Sequence, residues 1–270
     1  MRYALALLLV FGFVTVAAAQ DAAAPTPPGL IAQAVGGQIG VTREAPYVGG
    51  RGLITDELAT GMFLNPTSGT LRQFEFTLQY CALIFHAGDQ TAVGHGAIAG
   101  FGITDWLEVG AQGLLVDLPG NDDNPTVGGP QLRVRVLKDE AWYPEVSVGG
   151  IFLFGDEVLE KNTAYVALSK GLRISDTGPI RGVRGHAGFR QAWIEVGEDQ
   201  SIGFFGGELE LPKHIFIVAE VSTKDGGLTK TPWAAGIQVR HPDGFGLTLA
   251  IVQTGTLTEL GVYVGVGINF

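Results

Sequence analysis

The chain closes on "TELGVYVGVGINF", residues 258–270, and the reading of this stretch decides the fold. Large apolar residues recur at every second position: Leu260, Val262, Val264, Val266, Ile268 and Phe270. Between them stand Gly261, Tyr263, Gly265, Gly267 and Asn269. A period of two belongs to a β-strand whose two faces meet different surroundings. Here one face is bulky and apolar, and the other is small and ends on an amide. The stretch predicts a strand that runs to an aromatic carboxy-terminus.

Composition narrows what those surroundings are. The chain has 270 residues, 41 of them Gly and 1 Cys, with 16% charged residues and a mean hydropathy of +0.26. Soluble domains carry roughly 25% charged residues. The formal charge is −10. That balance argues against nucleic acid as a partner, because phosphate binding needs clustered Lys and Arg. Arg2 followed by the apolar run 3–16 and by "AAAQ" predicts a secretory leader, residues 1–19, cleaved after Ala19. Beyond it no run approaches the roughly 18 apolar residues of a spanning helix. Cys81 is a lone cysteine, which excludes an internal disulfide. In lipid, only helices and closed barrels satisfy every backbone polar group. An exported, apolar, Gly-rich chain without a spanning helix therefore predicts a barrel.

The remaining pattern agrees. "AAAPTPPG", residues 22–29, is a Pro/Ala linker. Residues 31–65 hold turn signals and one short helical patch, "ITDELATGMF". From Gly69 the alternation is regular. In "RQFEFTLQYCALIF", Phe74, Phe76, Leu78, Tyr80, Ala82 and Ile84 fall on one face. Gln73, Glu75, Thr77 and Gln79 fall on the other. Continuing to Phe270, the alternation predicts about twelve strands, each near the length of a tilted spanning strand. Connections after even-numbered strands read as short turns. Those after odd-numbered strands read as longer polar loops, most clearly "DLPGNDDNPTVGGP", residues 117–130. An even strand number with short turns on one side is the outer-membrane pattern. Trp106, Trp142, Tyr143, Trp193 and Trp233 all fall at predicted strand ends, where amphipathic rings meet lipid headgroups. A soluble sandwich or lipocalin-like barrel is the alternative. Its outer face would be polar, whereas here the polar face mixes Gly with Gln, Glu and Arg, which suits a wet lumen.

The parity assigns a lumen face. It carries Glu75, Glu108, Glu208, Glu210 and Glu220, and Arg133, Arg135, Arg184, Arg190 and Arg240 with His186. Rings of charge can select a solute. Mixed signs can also simply satisfy one another, since buried charges need partners. Catalysis finds little support. Ser169 and His186 lie on neighbouring predicted strands, but nothing in the sequence orients the histidine. His86, His95, His214 and His241 are scattered, and no HExxH or paired-cysteine spacing occurs. "GHGAIAG" has the wrong spacing for a nucleotide loop. The acidic loops "GNDDNP" and "GDEVLEK" carry oxygen ligands that suit Ca²⁺ or bridged lipopolysaccharide, or are simply solvated.

The ending "VYVGVGINF" resembles the C-terminal signal of bacterial outer-membrane β-barrels, and "GITDWLEVG" resembles their periplasmic turns. The resemblance implies that Val262, Val264, Val266, Ile268 and Phe270 are read by the barrel-assembly machinery. "TAYVALSKGL", "VAEVSTKDGG" and "PWAAGIQVRHPDGFGLTLAI" are similar to segments of YjbH-like barrels, which implies an association with exopolysaccharide export. Val221 after Glu220 departs from the acidic-aromatic-acidic core expected there. The expectation is an all-β, antiparallel, up-and-down transmembrane barrel over residues 69–270. Residues 20–68 precede it as a linker and a periplasmic or lumen-plug segment. The expected role is a passive conduit or export component for polar solutes or polysaccharide in the outer membrane, with lipid and lipopolysaccharide as neighbours. A closed structural or adhesion barrel that works through its external loops is the alternative, and a membrane-embedded hydrolase is the third and least supported reading. No cofactor, metal or enzymatic activity is implied.

Overall fold

Alternating strands joined by turns form one continuous wall. A computed structural model describes residues 62–87, 90–118, 124–140, 142–225, 228–256 and 260–270. The expected leader, the Pro/Ala linker and the patch up to Gly61 lie outside the described residues, as does most of "GNDDNP". The strands, numbered here in chain order, are β1 (Phe76–Ala87), β2 (Gln90–Thr104), β3 (Leu107–Asp117) and β4 (Thr126–Leu137). Next come β5 (Glu145–Phe152, continued past Leu153 by Phe154–Gly155), β6 (Lys161–Arg173), β7 (Gly182–Ile194) and β8 (Gln200–Leu211). The wall ends with β9 (Ile215–Ser222), β10 (Trp233–Arg240), β11 (Phe245–Gln253) and β12 (Gly261–Asn269).

Every neighbouring pair is antiparallel, and the last strand pairs with the first from Thr77↔Asn269 to Ile84↔Val262. The sheet is thereby closed and has no free edge, which removes the unpaired N–H and C=O rows of an open sheet. At the seam Phe76 and Phe270 exchange backbone hydrogen bonds of 3.1 and 2.9 Å, and their rings stack at 6.3 Å. The expected reading of the closing strand holds: Val262, Val264, Val266 and Ile268 face outward, and Gly261, Tyr263, Gly265 and Gly267 face inward.

Polarity is inverted relative to a soluble domain, where large apolar side chains lie inside. Leu249 is 57% exposed on the outer wall, whereas Gln238 is fully buried inside. Leu78, Ile84, Ile217, Val221, Ile237, Leu247 and Ile251 repeat the outward pattern. Thr77, Gln79, Glu220 and Thr248 repeat the inward one. A polar pair also sits on the outer wall, where Tyr80 Oη and His95 Nδ1 lie 2.7 Å apart.

Odd-numbered strands start, and even-numbered strands end, at the rim that holds Phe76 and Phe270; this is the terminus rim. The opposite end is the loop rim. Trp106, Trp142 and Tyr143 lie at the terminus rim, and Trp193 and Trp233 at the loop rim. Both girdles of aromatic residues are thus present. Two local expectations change. Phe74 belongs to a turn with φ 65° ahead of β1, rather than to the strand itself. The loop-length asymmetry is also weaker than the sequence suggests. Ala87 and Gln90 pair across a tight hairpin at the loop rim, while residues 174–181 form a longer connection at the terminus rim.

Candidate functional site: a charged lumen crossed by the chain's own segment

The lumen has two zones, set by where each inward residue falls along its strand. Toward the terminus rim lie Glu108, Arg135, Glu145, Arg173, Arg184, His186, Glu208, Glu210 and Arg240. Arg133, Arg190 and Glu220 stand about mid-strand. Toward the loop rim the same faces carry Leu83, Val127, Ile151, Leu153, Ile202 and Val252, all buried. The expected charged lining is therefore confined to part of the lumen. Near the loop rim the inward positions form an apolar core.

Opposite charges in the polar zone are matched across strands. Arg240 holds Glu208 through two 2.8 Å bonds, and its guanidinium lies 4.2 Å from the Phe216 ring centroid. Glu145 accepts from Arg135 at 3.2 Å and also from Arg184. Arg173 reaches Glu210 at 3.3 Å. Bidentate Arg–carboxylate geometry both strengthens and orients such pairs. Glu75 lies at the rim just before β1 and accepts from Asn269 at 2.9 Å.

The segment before β1 lies inside this lumen. Residues 62–71 cross from the β8–β11 wall to the β3–β5 wall, and all are buried. Their backbone polar groups are met by the charged side chains. Phe63 and Leu64 donate N–H to Glu220 Oε1 at 3.0 and 2.5 Å, and Asn65 Nδ2 donates to Glu220 Oε2 at 2.9 Å. Ser68 Oγ donates to Glu145 at 3.0 Å. Leu71 N–H donates to Glu108 at 2.8 Å. Arg133 donates to the Gly69 carbonyl and, at 3.0 Å, to Tyr165 Oη. Arg190 reaches the Leu64 carbonyl at 3.4 Å.

Glycine makes room for the segment at both ends. A side chain at Gly206 would fall on the Met62 thioether, and one at Gly102 on the Arg72 carbonyl. Phe63 packs edge-on to Tyr263 at 6.2 Å.

One arrangement the sequence left without an orienting group acquires one here. Ser169 Oγ lies 2.7 Å from His186 Nδ1, and His186 Nε2 lies 3.5 Å from Glu208. Glu208 is already committed to Arg240, however, and Ser169 Oγ accepts the Ser68 N–H at 3.2 Å. The serine is thus covered by the inserted segment and acts as an acceptor for it. Among the described residues no group of three or more His, Cys, Asp or Glu side chains is placed to hold a metal ion.

Of the expected lumen residues, Glu108, Arg133, Arg135, Arg184, His186, Arg190, Glu208, Glu210, Glu220 and Arg240 all face inward, and Glu75 stands at the rim. Glu145 is an addition. Its signal was available: Glu145, Ser147 and Gly149 alternate with Val146 and Val148. The segment's course had no such signal, because residues 62–71 carry no strand period.

No family model matches the chain, and no curated protein matches it in sequence. Solved structures do match in fold. The KdgM porin aligns over 72% of this chain and 99% of its own, at 10% identity and a TM-score of 0.50. The KdgM porin in complex with disordered oligogalacturonate matches at 10% identity and a TM-score of 0.49, again over 72% and 99% of the two chains. A mutant of the Rh. blastica porin aligns over 73% of this chain and 99% of its own, at 10% identity and a TM-score of 0.33. The fold is that of a closed, twelve-stranded, porin-like antiparallel barrel.

Proposed function

We propose that this chain is an outer-membrane β-barrel of a Gram-negative bacterium and serves as a passive conduit for small polar solutes. The observation that carries the reading is the inverted wall. An apolar exterior edged by aromatic rims suits lipid, and an interior zone of matched charges suits a polar solute. Because Glu208–Arg240, Glu145–Arg135 and Glu210–Arg173 neutralise one another, weak charge selectivity is expected. The leader over residues 1–19 supports export. Polysaccharide as cargo rests on the YjbH-like segments alone. Val262, Val264, Val266, Ile268 and Phe270 serve as the assembly signal in this reading. Deleting Phe270 is expected to reduce barrel in the membrane fraction while leaving export intact.

A closed scaffold that works through its loops is the second reading, and the inserted segment favours it. The test is planar-bilayer recording on the purified chain and on a variant lacking residues 62–71. Heat-modifiable gel migration checks that both form barrels. Discrete current steps from either are expected. Silence from both overturns the conduit reading and leaves the scaffold.

A further inference from the structure

Part of the lumen's charge is spent on a polypeptide. Glu220, Glu145 and Glu108 accept its N–H and O–H donors, and Arg133 donates to its carbonyl. These four residues stand on four different strands, β9, β5, β3 and β4, so the bonds tie the segment to both sides of the lumen. Among the described residues the segment forms no strand, and Pro66 alone in it makes a β-bridge. Only the stretch at residues 72–76 connects it to β1.

We propose that residues 62–71 form a displaceable strap that closes the lumen, and that the Glu220, Glu145, Glu108 and Arg133 side chains are its seat. The proposal rests on the conduit reading and adds its regulation. The seat is polar and the strap's contacts to it are hydrogen bonds. Water can replace each of them once the strap moves, so withdrawal is opposed chiefly by the burial of Met62, Phe63 and Leu64 in the apolar cluster. The same seat takes backbone N–H and C=O groups together with the Asn65 amide and the Ser68 hydroxyl. It is therefore a binding site for an extended peptide, at present filled in cis.

The geometry supplies a lock. A Cβ at Gly206 would lie 2.2 Å from Met62 Sδ. Cysteines in a Met62→Cys, Gly206→Cys chain are then within disulfide reach. Cys81→Ala removes the competing thiol. The experiment records single-channel current from this full-length chain, oxidised and then reduced in the same bilayer. A second chain, Glu220→Gln, weakens the seat without a cross-link. Labelling of a lone Met62→Cys by a membrane-impermeant thiol reagent follows strap exit without any current.

Expected are current steps that vanish on oxidation and return on reduction, together with labelling at least about tenfold faster when Glu220→Gln is added. Equal current in the oxidised and reduced chain overturns the strap and leaves the conduit standing. So does labelling unchanged by Glu220→Gln. Silence from the strap-free variant described above removes the conduit itself, which is a separate failure.

Discussion

On β5, Glu145 near the terminus rim is gripped by Arg135 and Arg184 and receives Ser68 from the strap. Further along the same strand, Ile151 packs in an apolar cluster with Val127, Leu153 and Tyr165. Both residues are inward-facing and buried. At Glu145 the wall is shaped to hold something that is not wall. At Ile151 it closes as a soluble core does, by contact among apolar groups. The pair teaches that burial inside a barrel has two meanings. In the apolar zone burial is itself the stabilising term. In the charged zone burial costs free energy that only specific partners offset. The strap is among those partners.

The contrast can be broken by substitution. The largest effect is expected for Arg133→Ala, which strips the Gly69 carbonyl and Tyr165 Oη of their donor. A loss of about 4 kcal/mol is expected in urea unfolding followed by gel migration, because two hydrogen bonds from one buried charged donor are lost together. Next comes Ile151→Ala, with a loss of roughly 3 kcal/mol from transfer and cavity terms, and no change in thiol labelling at position 62. Labelling that rises as it does for Glu220→Gln would erase the distinction between the zones. Glu208→Gln should cost about 2 kcal/mol by weakening the Arg240 fork, again in urea unfolding. The smallest effect belongs outside both zones. Tyr80→Phe removes the outer-wall bond to His95 and should cost about 0.6 kcal/mol, at the low end for a neutral side-chain hydrogen bond. A cost above that of Glu208→Gln would mean that the outer wall carries a polar contact as weighty as the lumen's.

Much of the architecture was legible because the strand period and the split between an apolar and a polar face reinforce each other. The face of β12 follows from Val262 to Ile268 alone. The inward faces of Glu108, Arg133, Arg184, His186, Glu208 and Glu220 follow from parity. What could not be read is which charges meet. Glu208 and Arg240 stand on β8 and β10, which are not adjacent in the sheet, and their contact spans the inner face of β9. Phe74 reads as the first residue of a strand because it keeps the period, yet its positive φ turns the chain into the barrel. Nor does a period of two tell lumen water from lumen core. Leu83 and Gln79 share one face of β1, yet Leu83 packs in the apolar cluster and Gln79 bonds to Thr77 Oγ1.

Local alternation in the chain already carried the wall: about twelve strands, which face is apolar and turned outward, and a last strand able to pair with the first. It could do so because alternation is a property of near neighbours in the chain. The tertiary structure decided the content of the lumen. Residues 62–71 have no period of their own, and their place is fixed by Glu220, Glu145, Glu108 and Arg133, which come together only when the sheet closes.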